Sequence, residues 1–249
     1  MPAVDGKLTS RRLDWWFMSD DPGLGKSLVD RALILTRERI LNGEYKPGSR
    51  LRLNQLAEES GASLIPVREA LRVLEVERLI EMAPNKGARV APLSIDDMRE
   101  LYSTRILIET EALRMARRIQ ADEAIVLNEM LHRLTKSLAS SDRGLALRLH
   151  REFHFALYAL ADSRWLSYLI DILWKHSERY QRLSVPLRSD QGHEEHSRIL
   201  EALLAGKRGE AARALRSHLE HTARLVEVGY RDSGASNGEP IDAVRAPRR

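Results

Sequence analysis

Four histidines, His150, His154, His196 and His218, have the type and spacing to do chemistry. His150 and His154 stand four residues apart, so on a helix both rings project to one side. His196 leads Ile199, Leu200 and Leu203, and His218 lies between Leu215 and Thr222 in a run with the same period. Each of these two rings therefore belongs to an apolar stripe and faces an interior. Four imidazoles from three helices can form a nitrogen site for a divalent transition metal, zinc or nickel before others. The same rings can instead be core histidines, each satisfied by a hydrogen bond, and spacing leaves both readings open. His193 and His221 read as exposed neighbours, while His132 and His176 carry no signal. A metal-dependent helical enzyme is the alternative reading. It lacks a second catalytic set, because there is no serine nucleophile with a placed base, no glycine-rich phosphate loop and no motif carboxylate beside the histidines.

The second constellation is cationic. Asn54 and Ser63 each precede a run with helical spacing, and Gly61 lies between the runs, the order of a helix-turn-helix. In the second run Val67, Leu71 and Leu74 fall at i, i+4, i+7 and pack inward. Arg68 and Arg72 point the other way, with Ile65 and Glu69, and Pro66 falls in the first turn, where its missing N–H costs little. A helix with an apolar back and an arginine front fits a DNA major groove. After it, Leu79 to Met82 and Arg89 to Ala91 read as short strands joined through Pro84-Asn85-Lys86-Gly87, a hairpin with a basic tip.

These residues need elements to position them. Ser27 to Leu41 reads as a helix, Lys46-Pro47-Gly48 as a turn and Arg50 to Leu53 as a small strand. From a cap at Ser94 to about Gly229 six helical stripes follow. They are Leu101, Arg105, Ile108, Ala112, Met115 and Ile119; Leu127, Leu131, Leu134 and Leu138; Leu145, Leu149, Phe153, Ala156 and Leu160. The last three are Leu166, Leu169, Leu173 and Tyr180; His196, Ile199, Leu200 and Leu203; Ala211, Leu215, His218, Thr222 and Leu225. Short breaks between them predict an antiparallel bundle. The fold class is thus mostly α: an N-terminal winged helix-turn-helix domain (residues 27–92) and a C-terminal all-helical antiparallel bundle (93–230). A 1–26 tail carrying Trp15-Trp16-Phe17 precedes them, and a 231–249 tail follows, expected to be disordered.

Composition narrows the classes. In 249 residues a net charge of +4 gives no global basic field, so attraction to a polyanion has to be local. With no cysteine there is no disulfide framework and no thiolate chemistry. No stretch has the length and apolarity of a membrane span or a signal core, so a soluble, cytoplasmic protein with no membrane partner is expected.

Pro47-Gly48, Leu56-Ala57, Pro66 to Leu71 and Gly87 to Val90 resemble the DNA-binding domain of GntR-type bacterial transcription regulators. The resemblance implies contacts to a double-stranded DNA operator from Asn54, Ser63, Arg68 and Lys86-Gly87. Where the family often has Arg-Thr after the capping serine, this chain has Leu64-Ile65, which points to apolar contact with a thymine methyl. Leu149-His150, Phe153-His154, Glu195 to Leu203 and Ala212 to His218 resemble the FCD effector domain of the FadR-like group, over about residues 94–229. Many of its members bind metal through an Asp and three His, and His150 stands where that Asp would be. The resemblance further implies a small carboxylate effector at the metal, with Arg105 near the pocket, although Arg105 can also pair with Glu109 at i+4. It also implies a homodimer and a ligand-responsive regulator, a repressor of a metabolic operon, rather than an enzyme.

Overall fold

The computed structural model describes residues 27–83, 87–138, 142–181 and 190–232. Trp15-Trp16-Phe17, Lys86 at the hairpin tip and the tail from residue 233 lie outside them.

The N-terminal region is built on three helices and a small sheet. Helix α1, Leu28–Leu41, starts at a capping box in which Ser27 accepts from the Asp30 N–H while Asp30 reaches back to the Ser27 N–H. Strand β1 is Arg50–Leu51, and helices α2, Leu53–Ser60, and α3, Leu64–Val76, follow. Gly61 ends α2 with φ 63°, a left-handed conformation that costs glycine little. Two sequence expectations shift here. Arg52, not Asn54, precedes α2, and Asn54 lies inside its first turn; Ser63 does precede α3, but its side chain makes no capping hydrogen bond. Strands β2, Ile80–Ala83, and β3, Gly87–Val90, complete an antiparallel sheet of order β1-β3-β2, registered by Arg50 opposite Arg89 and Ile80 opposite Val90. Val67, Leu71 and Leu74 are buried with Ala32, Ile40, Leu56 and Val90. A bidentate Arg37–Glu77 ion pair (2.9 and 2.6 Å) ties α1 to the end of α3.

Six helices form the rest: α4 Ile95–Met115, α5 Ala121–Leu138, α6 Arg143–Ala159, α7 Arg164–Gln181, α8 Asp190–Leu204 and α9 Arg208–Asp232. Ser94 caps α4 by accepting from the Asp97 N–H. The core holds Leu113, Leu134, Phe153, Leu157, Ile170, Trp174, Ile199 and Leu215. Three expectations fail. Helix α4 stops at Met115, because Ala116 is extended (φ −53°, ψ 128°) and the Arg117 N–H is taken by the carbonyl of Leu160, so Ile119 belongs to no stripe of α4. On α7 the inward residues are Ile170, Trp174 and Ser177, whereas Leu169 is exposed. On α9 Leu225 is exposed and Val226 takes its place inside.

The two regions meet at α7 and at the chain between β3 and α4. Arg179 of α7 donates to the Ala91 carbonyl, the Tyr180 hydroxyl bonds the Asp97 carboxylate, and Tyr230 donates to the Leu93 carbonyl at 2.8 Å. His176, one turn before Tyr180, hydrogen-bonds the backbone of Glu77, the residue that ends α3. No helix among the described residues is long and apolar enough to cross a membrane.

Candidate functional site: an exposed arginine face and a buried histidine cluster

The outer face of α3 is open. Ser63, Leu64, Arg68, Glu69 and Arg72 are exposed, and Ile65 is 69% exposed. An apolar side chain held that far into water at the start of a helix has no packing role in this chain. Asn54 is also exposed, and it lines a groove of about 720 Å³ with Arg50, Arg52, Gln55, Glu58 and Gly87. Sequence reasoning passed over Arg50 and Arg52, which stand on the strand edge and in the entry to α2. Gly87 has φ 79°, and a Cβ there would lie 3.9 Å from the Arg50 guanidinium.

The histidines meet. His150 and His154 come from α6, His196 from α8 and His218 from α9; all four are buried, and one ring nitrogen of each lies within 4.8 Å of those of the others. His154 Nε2 is 3.0 Å from His196 Nε2, and the His196 and His218 ring centres are 4.5 Å apart. Trp174 covers the cluster, its ring centre 5.5 Å from that of His150 and 5.4 Å from that of His154. Burial, the His218 ring and the Arg105 charge push His150 down to about 3, and burial with the His150, His196 and His218 rings and Arg105 holds His154 well below its usual value. Both rings are therefore neutral lone-pair donors at neutral pH. His150 Nδ1 is buried without a hydrogen-bond partner. Four imidazoles converging to this distance, one with an orphaned buried nitrogen, are a donor set suited to a divalent transition metal.

Two carboxylates flank the cluster, contrary to the expectation that none lies beside the histidines. Glu195 receives His218 Nδ1 at 2.8 Å and His221 Nδ1 at 2.9 Å. Burial opposes its charge, but the two imidazoles outweigh this and hold Glu195 below the usual carboxylate range. His221 is thus a half-buried partner rather than an exposed neighbour. On the other side His154 Nδ1 lies 3.1 Å from the Tyr158 hydroxyl, which donates to Glu109 at 2.5 Å. Arg105 does pair with Glu109, through Nε at 2.7 Å and Nη2 at 3.4 Å. Its guanidinium also lies 4.7 Å from the Trp174 ring centre and 5.0 Å from that of Tyr102. Burial penalises its charge, yet Glu109 keeps Arg105 protonated beyond its ordinary range, and Nη1 is left buried without a hydrogen-bond partner. Glu195, Tyr158, Glu109 and Trp174 were missed in the sequence. The one available signal was spacing, since Tyr158 is i+4 from His154 and Glu109 is i+4 from Arg105.

A winged helix-turn-helix joined to a helical bundle that buries a histidine cluster is the architecture of a two-domain DNA-binding regulator. The family model for bacterial regulatory proteins of the gntR family matches residues 30–90, and the FCD domain model matches residues 100–221. An uncharacterised HTH-type transcriptional regulator, BphR, of Paraburkholderia xenovorans is 33% identical over 81% of this chain and 86% of its own length. The HTH-type transcriptional repressor GlaR of Escherichia coli is 31% identical over 72% of this chain and 87% of its own. Among solved structures, McbR/YncC of E. coli superposes with TM-score 0.70 at 24% identity, over 82% of this chain and 99% of that one. The chain belongs to the gntR family of transcriptional regulators and carries an FCD domain; its relatives are regulators, not enzymes.

Proposed function

We propose that this regulator represses a metabolic operon and releases or retains its operator according to what the histidine pocket holds. The reading is carried by one observation: four buried imidazole nitrogens lie within 4.8 Å of one another, beside a buried arginine with a free Nη1. His150, His154, His196 and His218 would hold the metal, zinc or nickel, which when bound supplies a Lewis-acidic centre for an anionic ligand. Arg105 Nη1 is the group left to receive a small carboxylate. An organic acid is favoured as effector because Arg105 Nη1 is a buried cationic donor with no hydrogen-bond partner.

The DNA side rests on exposure. Arg68 and Arg72 read base edges and phosphates from α3, Leu64 and Ile65 reach thymine methyls, and Asn54, Ser63, Gly87 and Lys86 complete the contacts. Helix α7 supplies the connection, with Trp174 on the pocket and His176 and Arg179 on the DNA-binding half. The active form is a homodimer on a palindromic operator, in the cytoplasm where its DNA is. A row of exposed apolar side chains on α7, Trp165, Tyr168, Leu169 and Ile172 at i, i+3, i+4, i+7, supports a second copy as its cover. Light scattering should give twice the chain mass at micromolar concentration; a monomer would overturn the dimer. A thermal-shift screen against small organic acids, with and without zinc or nickel, tests the effector reading. Stabilisation by an acid that requires both metal and Arg105 is expected, and no response in any combination would overturn it.

A further inference from the structure

The geometry points to Glu195 and the Glu109–Tyr158 pair as positioning residues that set the ring tautomers of His218 and His154, so that the Nε2 lone pair of each is available to a metal. This rests on the proposed metal reading of the cluster and adds to it the residues that make the ligands competent.

Tyr158 has one hydroxyl proton, and it is donated to Glu109, which is salt-bridged to Arg105 and can only accept. A phenol keeps its proton at neutral pH, and Glu109 receives it. Toward His154 Nδ1, 3.1 Å away, the phenol oxygen can then only accept, and Nδ1 must carry the imidazole hydrogen. A neutral His154 therefore has a bare Nε2, the atom that faces His196 Nε2 at 3.0 Å. On the opposite side Glu195, as a carboxylate, is also acceptor-only, so His218 Nδ1 donates to it at 2.8 Å, and in the neutral ring this leaves Nε2 bare. Two rings on two helices, α6 and α9, are thus oriented alike by carboxylates on α4 and α8, one through a phenol and one directly. Outer partners of this kind fix both the tautomer and the basicity of a ligating histidine. They also answer the replacement of a ligand carboxylate by His150. The negative charge absent from the ligand shell stands one hydrogen bond further out, on Glu195.

The test measures ligand competence rather than regulation. The full-length protein is titrated with zinc, and separately nickel, against a chromophoric chelator. Glu195→Ala and Tyr158→Phe should each weaken metal binding by roughly 10–100-fold. Glu195→Asp, which keeps a carboxylate, should recover most of that loss, and Glu195→Gln, which keeps an acceptor without the charge, less of it. Glu194→Gln, at an exposed neighbour paired with Arg198, should bind as wild type. Nitrogen-15 NMR of the metal-free wild-type protein should find His154 and His218 protonated at Nδ1, with only His218 altered in Glu195→Ala. Folded Glu195→Ala and Tyr158→Phe proteins with wild-type affinity, or rings protonated at Nε2 in the wild type, would overturn the assignment. A wild type that takes up neither ion would remove the metal reading itself, and the NMR tautomers would still decide the positioning role.

Discussion

The arginine face of α3 and the histidine cluster of the bundle are opposite solutions to carrying chemistry. The first is contiguous: Ser63 to Arg72 lie within one helix and its entry, all their functional groups exposed. Arg68 and Arg72 cost nothing to hold in water and are free for another partner. The second gathers residues from α4, α6, α8 and α9 and removes them from water. Burial forces an answer for each polar atom. The rings therefore come with Glu195, Tyr158 and Glu109, and the atoms left over, His150 Nδ1 and Arg105 Nη1, become the informative ones. A surface site is defined by what it displays, a buried site by what it leaves unsatisfied.

That contrast can be broken most forcefully at the ligands. His154→Ala and His218→Ala should take metal content from about one ion per chain to none by elemental analysis, whereas His150→Asp should retain it. Two alanine variants that keep full metal and full effector response would return the cluster to core hydrogen bonding.

Acid should act next. The folded protein holds His150 and His154 neutral, His150 down to about 3, while in the unfolded chain both protonate near the ordinary value. A depressed folded pKa means stability present above about pH 6.5 and lost as pH falls toward the folded value. The loss should be about 1.4 kcal/mol per pH unit for each of the two rings, read from urea midpoints of the metal-free protein. Metal binding also needs neutral imidazoles. For these two rings, burial makes unfolding the first casualty. A urea midpoint unchanged between pH 7 and 5 would contradict the burial.

On the exposed side, Arg68→Ala should cost about 1–3 kcal/mol of operator affinity and relax discrimination at one position, with no change in stability. Equal binding of operator and random DNA before and after the change would remove α3 from the groove. The smallest effect belongs between the regions. Arg179→Met and His176→Ala should leave metal binding alone and change the effector-dependent shift in operator affinity by about 0.5–2 kcal/mol. An unaltered shift in both would take α7 out of the coupling.

The sequence was most legible where periodicity and punctuation agree locally. Val67, Leu71 and Leu74, the helix start at Ser27, the cap at Ser94 and the wing strands all lie close to their expected places. The four histidines were legible as a set because His196 and His218 lie in apolar stripes and His150 and His154 stand four residues apart. Helix α7 was misphased for a physical reason: it is apolar on two faces, Ile170 and Trp174 inward and Trp165, Tyr168, Leu169 and Ile172 outward, so period alone cannot choose. The end of α4 carried no glycine or proline signal because a tertiary bond, Arg117 N–H to the Leu160 carbonyl, sets it. Glu195 escaped because nothing in one strand of sequence tells that a residue on α8 meets a ring on α9.

The most direct test of the account is operator affinity of the full-length protein, measured on DNA flanking its own coding region, against pocket occupancy. Wild type should bind that DNA in a salt-dependent, sequence-specific way, and zinc or nickel with a small carboxylate should shift its affinity by about 5–150-fold. In His154→Ala the shift should vanish while binding in the absence of ligand stays the same. Wild-type and His154→Ala affinities that move together under every combination of metal and acid would contradict it.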